Sequence, residues 1–288
     1  DYAQMMLEEL RKVIPSFLKR VDIPERGGVW SDYFQENHEA MERIASSIDA
    51  EPEGIDEVTL VEWDHDAENK IAAAALYAHS DLPDTQLQAI VNGMSDADKT
   101  EVLRAYAGDR QNRRHKPGRG MERSFYRFDV LSDFGSFRDL QRHRMMTIDW
   151  QRLGVKHGYS TPPAIEEVGW TQRWDDAMGR MSDFHQSVLD EHGSDVSQYV
   201  VPFGFKLRYS MQFNVREAFH MLELRTAQQG HPDYRRVCQI MHSLIRDKAG
   251  HKALAGAMTY VDHGSYDLER LEAERSAEKK RQASASTD

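Results

Sequence analysis

FNVREAFHMLELR, residues Phe213–Arg225, is the stretch on which the reading of the fold turns. Asn214 stands where a helix N-cap belongs, and Glu217 follows three residues later, as in a capping box. Val215, Ala218, Phe219 and Leu222 recur at helical spacing and predict a buried stripe. Arg216 and His220 are four residues apart and share another face, with Glu223 near them. Arg225 lies nearly half a turn from Glu223 and needs a separate role. The helix is expected to stop by Gly230-His231-Pro232. An Asn, an Arg and a His grouped on the first turns make a candidate ligand surface.

A second constellation lies upstream, in FRDLQRHRMMT, residues 137–147. Arg142, His143 and Arg144 are consecutive in a chain whose net charge is −11. Arginine presents a planar fork of donors suited to phosphates and anionic rings. In an extended segment Arg142 and Arg144 share one side and His143 takes the other. By itself the triplet reads equally well as a surface basic cluster.

Around these motifs the pattern is mixed, mostly helical, with a few strands. Val58–Trp63 suggests a strand, Ala67–His79 a helix, and Asp84–Ala107 one or two more helices. The run GDRQNRRHKPGRG, residues 108–120, is basic and turn-rich: a solvated loop or a phosphate-contacting one. Ser124–Val130 alternates as a strand does, and Asp176–His192 carries Met178, Met181, Phe184 and Val188 on one side of a helix. Residues 214–229 and 233–249 read as the last helices. Residues 2–20 read as a helix broken by Pro15 and residues 31–48 as another, followed by a linker at Ala50–Gly54. Residues 266–288, charged and then rich in Ser and Ala, are expected to fray.

Composition narrows the classes. An acidic chain repels nucleic-acid backbones, which argues against a general DNA or RNA binder. The longest apolar run, Ile71–Ala78, is far short of the ~20 residues of a membrane span, and no signal-peptide pattern opens the chain. The single cysteine, Cys238, cannot form an internal disulfide; it reads as a buried core thiol and fits a cytoplasmic setting. His115, His231, His242, His251 and His263 are scattered without zinc-ligand spacing, so no metal site is expected. No Gly-rich dinucleotide loop and no nucleophile elbow is present.

Taken together, RHR and, about 70 residues later, N-x-R-x-x-x-H-x-x-x-x-R resemble the flavin-dependent thymidylate synthases, the ThyX family. VTLVEWDHDAENKIAAAALYAH, MERSFYRFDV and VVPF are similar to that family's other segments in the same order, so the resemblance spans roughly residues 56–263. It implies an α+β fold: a twisted, mostly antiparallel sheet flanked by helices, here preceded by N-terminal helices. It also implies a homo-oligomer with sites between subunits. The implied activity is one-carbon transfer from methylenetetrahydrofolate to dUMP, with FAD as hydride carrier and NADPH as reductant.

The family's flavin contacts carry over to Arg142, His143, Arg144, Asn214, Arg216 and His220. Its pyrimidine contact carries over to Arg225. The rest of the nucleotide motif departs. Where the family has Glu-x-Ser-x-Arg, this chain has Trp150, Gln151, Arg152, Leu153 and Gly154. Asp139 replaces a glutamine, Gln198 an arginine and Arg123 a histidine. Arg152 is a candidate replacement phosphate contact from a shifted register. Two readings follow: a flavoenzyme acting on dUMP or a related acceptor, or a catalytically degenerate FAD-binding or scaffold half of a larger assembly. A phosphate or RNA binder is a third reading, disfavoured by the charge. Residues 1–50, which begin at Asp1 inside a helical pattern, resemble the tail of a preceding domain. A partner ThyX-like domain would then supply the missing contacts.

Overall fold

The computed structural model describes residues 2–51, 53, 54, 56–266, 275, 278 and 279. The chain divides into two compact units, residues 1–54 and 55–288. The first unit contains α1 (Tyr2–Val13), α2 (Pro15–Leu18) and α3 (Gly28–Ala45), with 3-10 turns at Lys19–Asp22 and Pro24–Arg26. The expected break falls at Ile14, whose ψ of 51° leaves the helical region. Proline disfavours helical backbone in the residue before it and is accommodated at the first position of the next helix. α1 buries no side chain, and Tyr2, Met6, Phe17, Trp30 and Phe34 are exposed.

The second unit begins with β1 (Val58–Trp63), α4 (Ala67–Tyr77), α5 (Asp84–Asn92) and α6 (Asp96–Ala107). The 84–107 stretch is thus two helices, the second capped by Ser95 Oγ accepting from the Asp98 backbone N–H at 3.2 Å. A 3-10 turn at Arg119–Arg123 leads to β2 (Phe125–Asp133), α7 (Phe134–Leu140) and β3 (Met146–Trp150). Then come α8 (Pro163–Glu167), α9 (Thr171–Ser197) and a 3-10 turn, Gln198–Val200. β4 (Lys206–Asn214), α10 (Val215–Arg225), α11 (Pro232–Asp247) and α12 (Lys252–Ala257) complete the unit. α9 is longer than periodicity suggested and is broken at Gly193, whose φ of 82° is left-handed.

The four strands pair antiparallel in the order β1-β2-β4-β3. β2 and β4 bury alternate residues: Tyr126, Phe128 and Val130 on one, Leu207, Tyr209, Met211 and Phe213 on the other. Their register sets Tyr126 opposite Phe213 and Phe128 opposite Met211, and the Phe128 and Phe213 rings stack at 5.6 Å. The apolar sides of α4, α10 and α11 join the same core, through Ile71, Ala218, Phe219, Leu222, Val237 and Met241. This is the α+β architecture expected, with strands β3 and β4 added where sequence had assigned none. Of the tail at residues 266–288, all but Tyr266, Arg275, Glu278 and Lys279 lies outside the described residues. No helix among the described residues is long and apolar enough to cross a membrane.

Cys238 is fully buried, and burial pushes its thiol up to about 12, so it packs as an apolar side chain. Two buried histidines give the fold a pH dependence. His251 meets the Tyr126 hydroxyl at 2.9 Å through Nδ1, and His242 meets the Ala255 carbonyl at 3.0 Å through Nε2. Burial lowers both pKa values below the ordinary histidine value. The unfolded chain therefore takes up protons near pH ~6.5 that the folded chain refuses. Their contribution to stability is complete above that pH and declines as pH falls through it. The urea midpoint should be lower near pH ~5.5 than near ~7.5; an equal or higher midpoint at the acid end contradicts this.

Candidate functional site

The two motifs meet because of strand register. β3 pairs with β4 so that Met146 stands opposite Phe213. The turn carrying Arg142-His143-Arg144 between α7 and β3 is thereby held beside Asn214 and the first turn of α10. Asn214 ends β4 and caps α10: its Oδ1 accepts from the Glu217 backbone N–H at 2.8 Å. The Glu217 carboxylate makes the other contact of interest, its Oε1 lying 2.8 Å from His143 Nδ1.

His143 is buried, while Arg142 and Arg144 on either side are exposed, as alternation along the turn requires. Its second nitrogen, Nε2, accepts from Arg225 Nε at 2.9 Å. An arginine is only a donor, so Nε2 carries the lone pair and the neutral ring bears its proton on Nδ1, which donates to Glu217. Arg225 continues the chain, donating to the Asp139 carbonyl at 2.6 Å and to Asp139 Oδ1 at 3.2 Å. The Tyr234 ring packs on its guanidinium at 5.4 Å. His143, Glu217 and His220 offer ligand atoms within 4.8 Å of one another. A metal on Nδ1 would need the lone pair that Arg225 has directed to Nε2, so the donor set favours a hydrogen-bond relay over a metal centre.

His220 is half-buried, its ring 5.5 Å from that of His143. Burial lowers its pKa; the Glu217 carboxylate opposes the shift, and Lys116, His143 and Arg113 reinforce it. The basic loop therefore flanks the site. Arg216 ties it there, donating to the Pro117 carbonyl at 3.0 Å and to Glu122 Oε1 at 3.2 Å. The other anchor is Arg110, which makes a bidentate pair with Glu223 at 2.6 and 2.5 Å. Its guanidinium lies 5.3 Å from the Phe219 ring and 5.2 Å from the Tyr260 ring. Glu223, expected beside Arg216 and His220, belongs instead to Arg110. Nothing in the sequence signals that pair, whose members are 113 positions apart.

The structure gathers Arg142, His143, Arg144, Asn214, Arg216, His220 and Arg225 at one place. Arg152 is elsewhere engaged, with Ser194 Oγ at 2.8 Å and Asp195 at 3.3 Å. Gln198 Oε1 accepts from the Leu153 backbone N–H at 3.1 Å, and Arg123 faces Asp84 at 3.9 Å. Beside the relay opens a cavity of about 900 Å³ whose lining includes Arg138, Asp139, Arg142, Trp174, Phe203 and Tyr234. Sequence reading missed Tyr234 and the pairing of Asp139 with Arg225. The signal available was only an acidic residue three positions before the triplet.

Known proteins bear on this arrangement. Residues 59–249 match the model of the family described as thymidylate synthase complementing protein. A UPF0159 protein of Chlamydia muridarum is 33% identical over 277 residues, covering 95% of this chain and 52% of that protein. A UPF0159 protein of Chlamydia pneumoniae is 32% identical over 273 residues, covering 93% and 50%. One from Thermoplasma acidophilum is 31% identical over 221 residues, covering 76% and 44%. The chain spans about half the length of these curated relatives. The fold is also that of a UMP/dUMP methylase, PolB from Streptomyces cacaoi, solved with 5-Br dUMP. The two superpose with a TM-score of 0.52 at 17% identity, over 69% of this chain and 94% of that one. With the motifs brought together on this fold and two-thirds of its length matched, the chain belongs to the thymidylate synthase complementing protein family, the ThyX family.

Proposed function

We propose that the chain binds FAD beside α10 and supports one-carbon transfer from methylenetetrahydrofolate to a pyrimidine nucleotide, with NADPH as reductant. The observation that carries this reading is the convergence of the Arg142–Arg144 turn with Asn214, Arg216 and His220 on a family fold. The donors fit an anionic dinucleotide. Arg142 and Arg144 are exposed and make no side-chain hydrogen bond among the described residues, and Arg216 keeps a third of its side chain in solvent (34%). Lys116 and Arg113 add positive charge on the loop side, which suits a diphosphate. When bound, the flavin supplies hydride transfer.

The protein's own residues position and polarise. Glu217 and Arg225 fix the His143 ring in one tautomer and orientation. Asn214 holds the first turn of α10, and Arg216 holds the loop over it. The cavity beside Asp139 and Arg142 is within the size range of nucleotide-sized ligand sites and is the place for the acceptor. A second ThyX-like domain or a second copy would complete the site, since Glu-x-Ser-x-Arg has no counterpart in this chain. A second reading, a catalytically silent flavin-binding half, is favoured by one observation: Arg225 and Arg152, the two nucleotide-contact candidates, are both engaged by the chain's own carboxylates.

FAD titration of the wild type and of Arg144→Ala tests the flavin reading. Loss of one charge-assisted contact should weaken binding about ten- to hundredfold, from roughly 1.5–3 kcal/mol. A folded wild type that fails to bind FAD sinks it.

A further inference from the structure

We propose that the N-terminal helices pair with the same helices of a second copy of the chain, α3 against α3 across a two-fold axis, and so tie two copies together. The inference is independent of what the second unit binds.

The first unit has no core of its own: none of its described residues is buried. Its apolar side chains are nonetheless ordered along one side of each helix. α3 carries Trp30, Phe34, Asn37, Met41 and Ile44 at intervals of four, three, four and three residues. That alternation lines a helix with a seam made for another helix. The four apolar members are 53% to 61% exposed. α1 repeats the pattern at Ala3, Met6, Leu10 and Val13. A contiguous exposed apolar surface of this kind marks an interaction site.

Asn37 identifies the occupant. A lone amide in an apolar seam needs a partner that both donates and accepts, and a second Asn37 across a two-fold axis does both. The far side of α3 carries Glu36, Glu39 and Glu42 against the single cation Arg43. A surface so acidic is unsuited to anionic lipid, which draws helices rich in Lys and Arg. The helices are also not private to this chain. The match to the Chlamydia muridarum relative runs over 277 residues, more than residues 55–288 can hold, so it reaches into the first unit. They lie outside the family match at residues 59–249, so the pairing adds to any contact made by the second unit.

Light scattering on the full chain, together with cysteine cross-linking, tests this. The wild type should have twice the chain mass or an even multiple of it. Phe34→Glu with Met41→Glu sets like charges across the seam, away from the core of the second unit, and should halve that mass. Asn37→Cys should form a disulfide between copies under mild oxidation, the native Cys238 being fully buried. Glu39→Cys, on the far side of α3, should not. A monomeric wild type overturns the proposal, including one that binds phosphatidylglycerol vesicles through these helices. An oligomer whose mass ignores the double substitution and whose Asn37→Cys form stays uncross-linked overturns it as well, since its contacts then lie in the second unit.

Discussion

Replacing Glu223 by alanine should lower the stability of the ThyX-like unit by about 3–5 kcal/mol, the cost of leaving one partner of a buried ion pair uncompensated. The Arg110 and Glu223 side chains are 4% and 0% exposed and share two hydrogen bonds. Arg110 cannot shed its charge, and the Phe219 and Tyr260 rings beside it offer no replacement acceptor. The joint replacement Arg110→Met with Glu223→Leu should recover much of the loss, because an apolar pair escapes the desolvation that the ion pair bears. Urea unfolding of the three proteins decides this. A Glu223→Ala protein within about 1 kcal/mol of wild type would mean that the pair is solvated and the loop anchored otherwise.

The second large effect concerns turnover. With dUMP, methylenetetrahydrofolate, FAD and NADPH supplied, dTMP formation by this chain alone should fall about a hundredfold or more below that of a family member carrying Glu-x-Ser-x-Arg. A displacement of the acceptor by ~1 Å suffices for that. The structure gives the reason residue by residue. Arg225 is closed by Asp139, Arg152 is held at Ser194 and Asp195, and Gln198 serves the Leu153 backbone. Turnover at an ordinary family rate would show that these contacts open without cost, and would favour plain thymidylate synthesis over the silent reading.

Much of this architecture was legible because local patterns suffice for local elements. The stripe Val215, Ala218, Phe219 and Leu222 is buried, and Asn214 caps the helix that carries it. Pro15 ends a helix where its ring and missing donor require. β4 shows equally clear alternation, KLRYSMQFN, every second residue of which is buried. The site was less legible. The expectation that Arg142, His143 and Arg144 act together with Asn214 and Arg216 rests on resemblance to a family, not on spacing. The partners that fix His143 lie 74 and 82 positions away and become neighbours only through the pairing of β3 with β4. Asp139, which stands where the family has a glutamine, is matched by Arg225, 86 positions away. Such pairings depend on long-range register, which a residue pattern does not encode.

If the Arg142–Arg144 turn and the start of α10 form one flavin site, bound FAD should protect both together. Hydrogen–deuterium exchange of the full chain with and without FAD tests it most directly. FAD should slow exchange together at residues 141–146, 214–220 and the loop around 113–118, with α5 and the sheet interior unchanged. Protection absent from these three segments, or confined to a different part of the chain while FAD is bound, would contradict it.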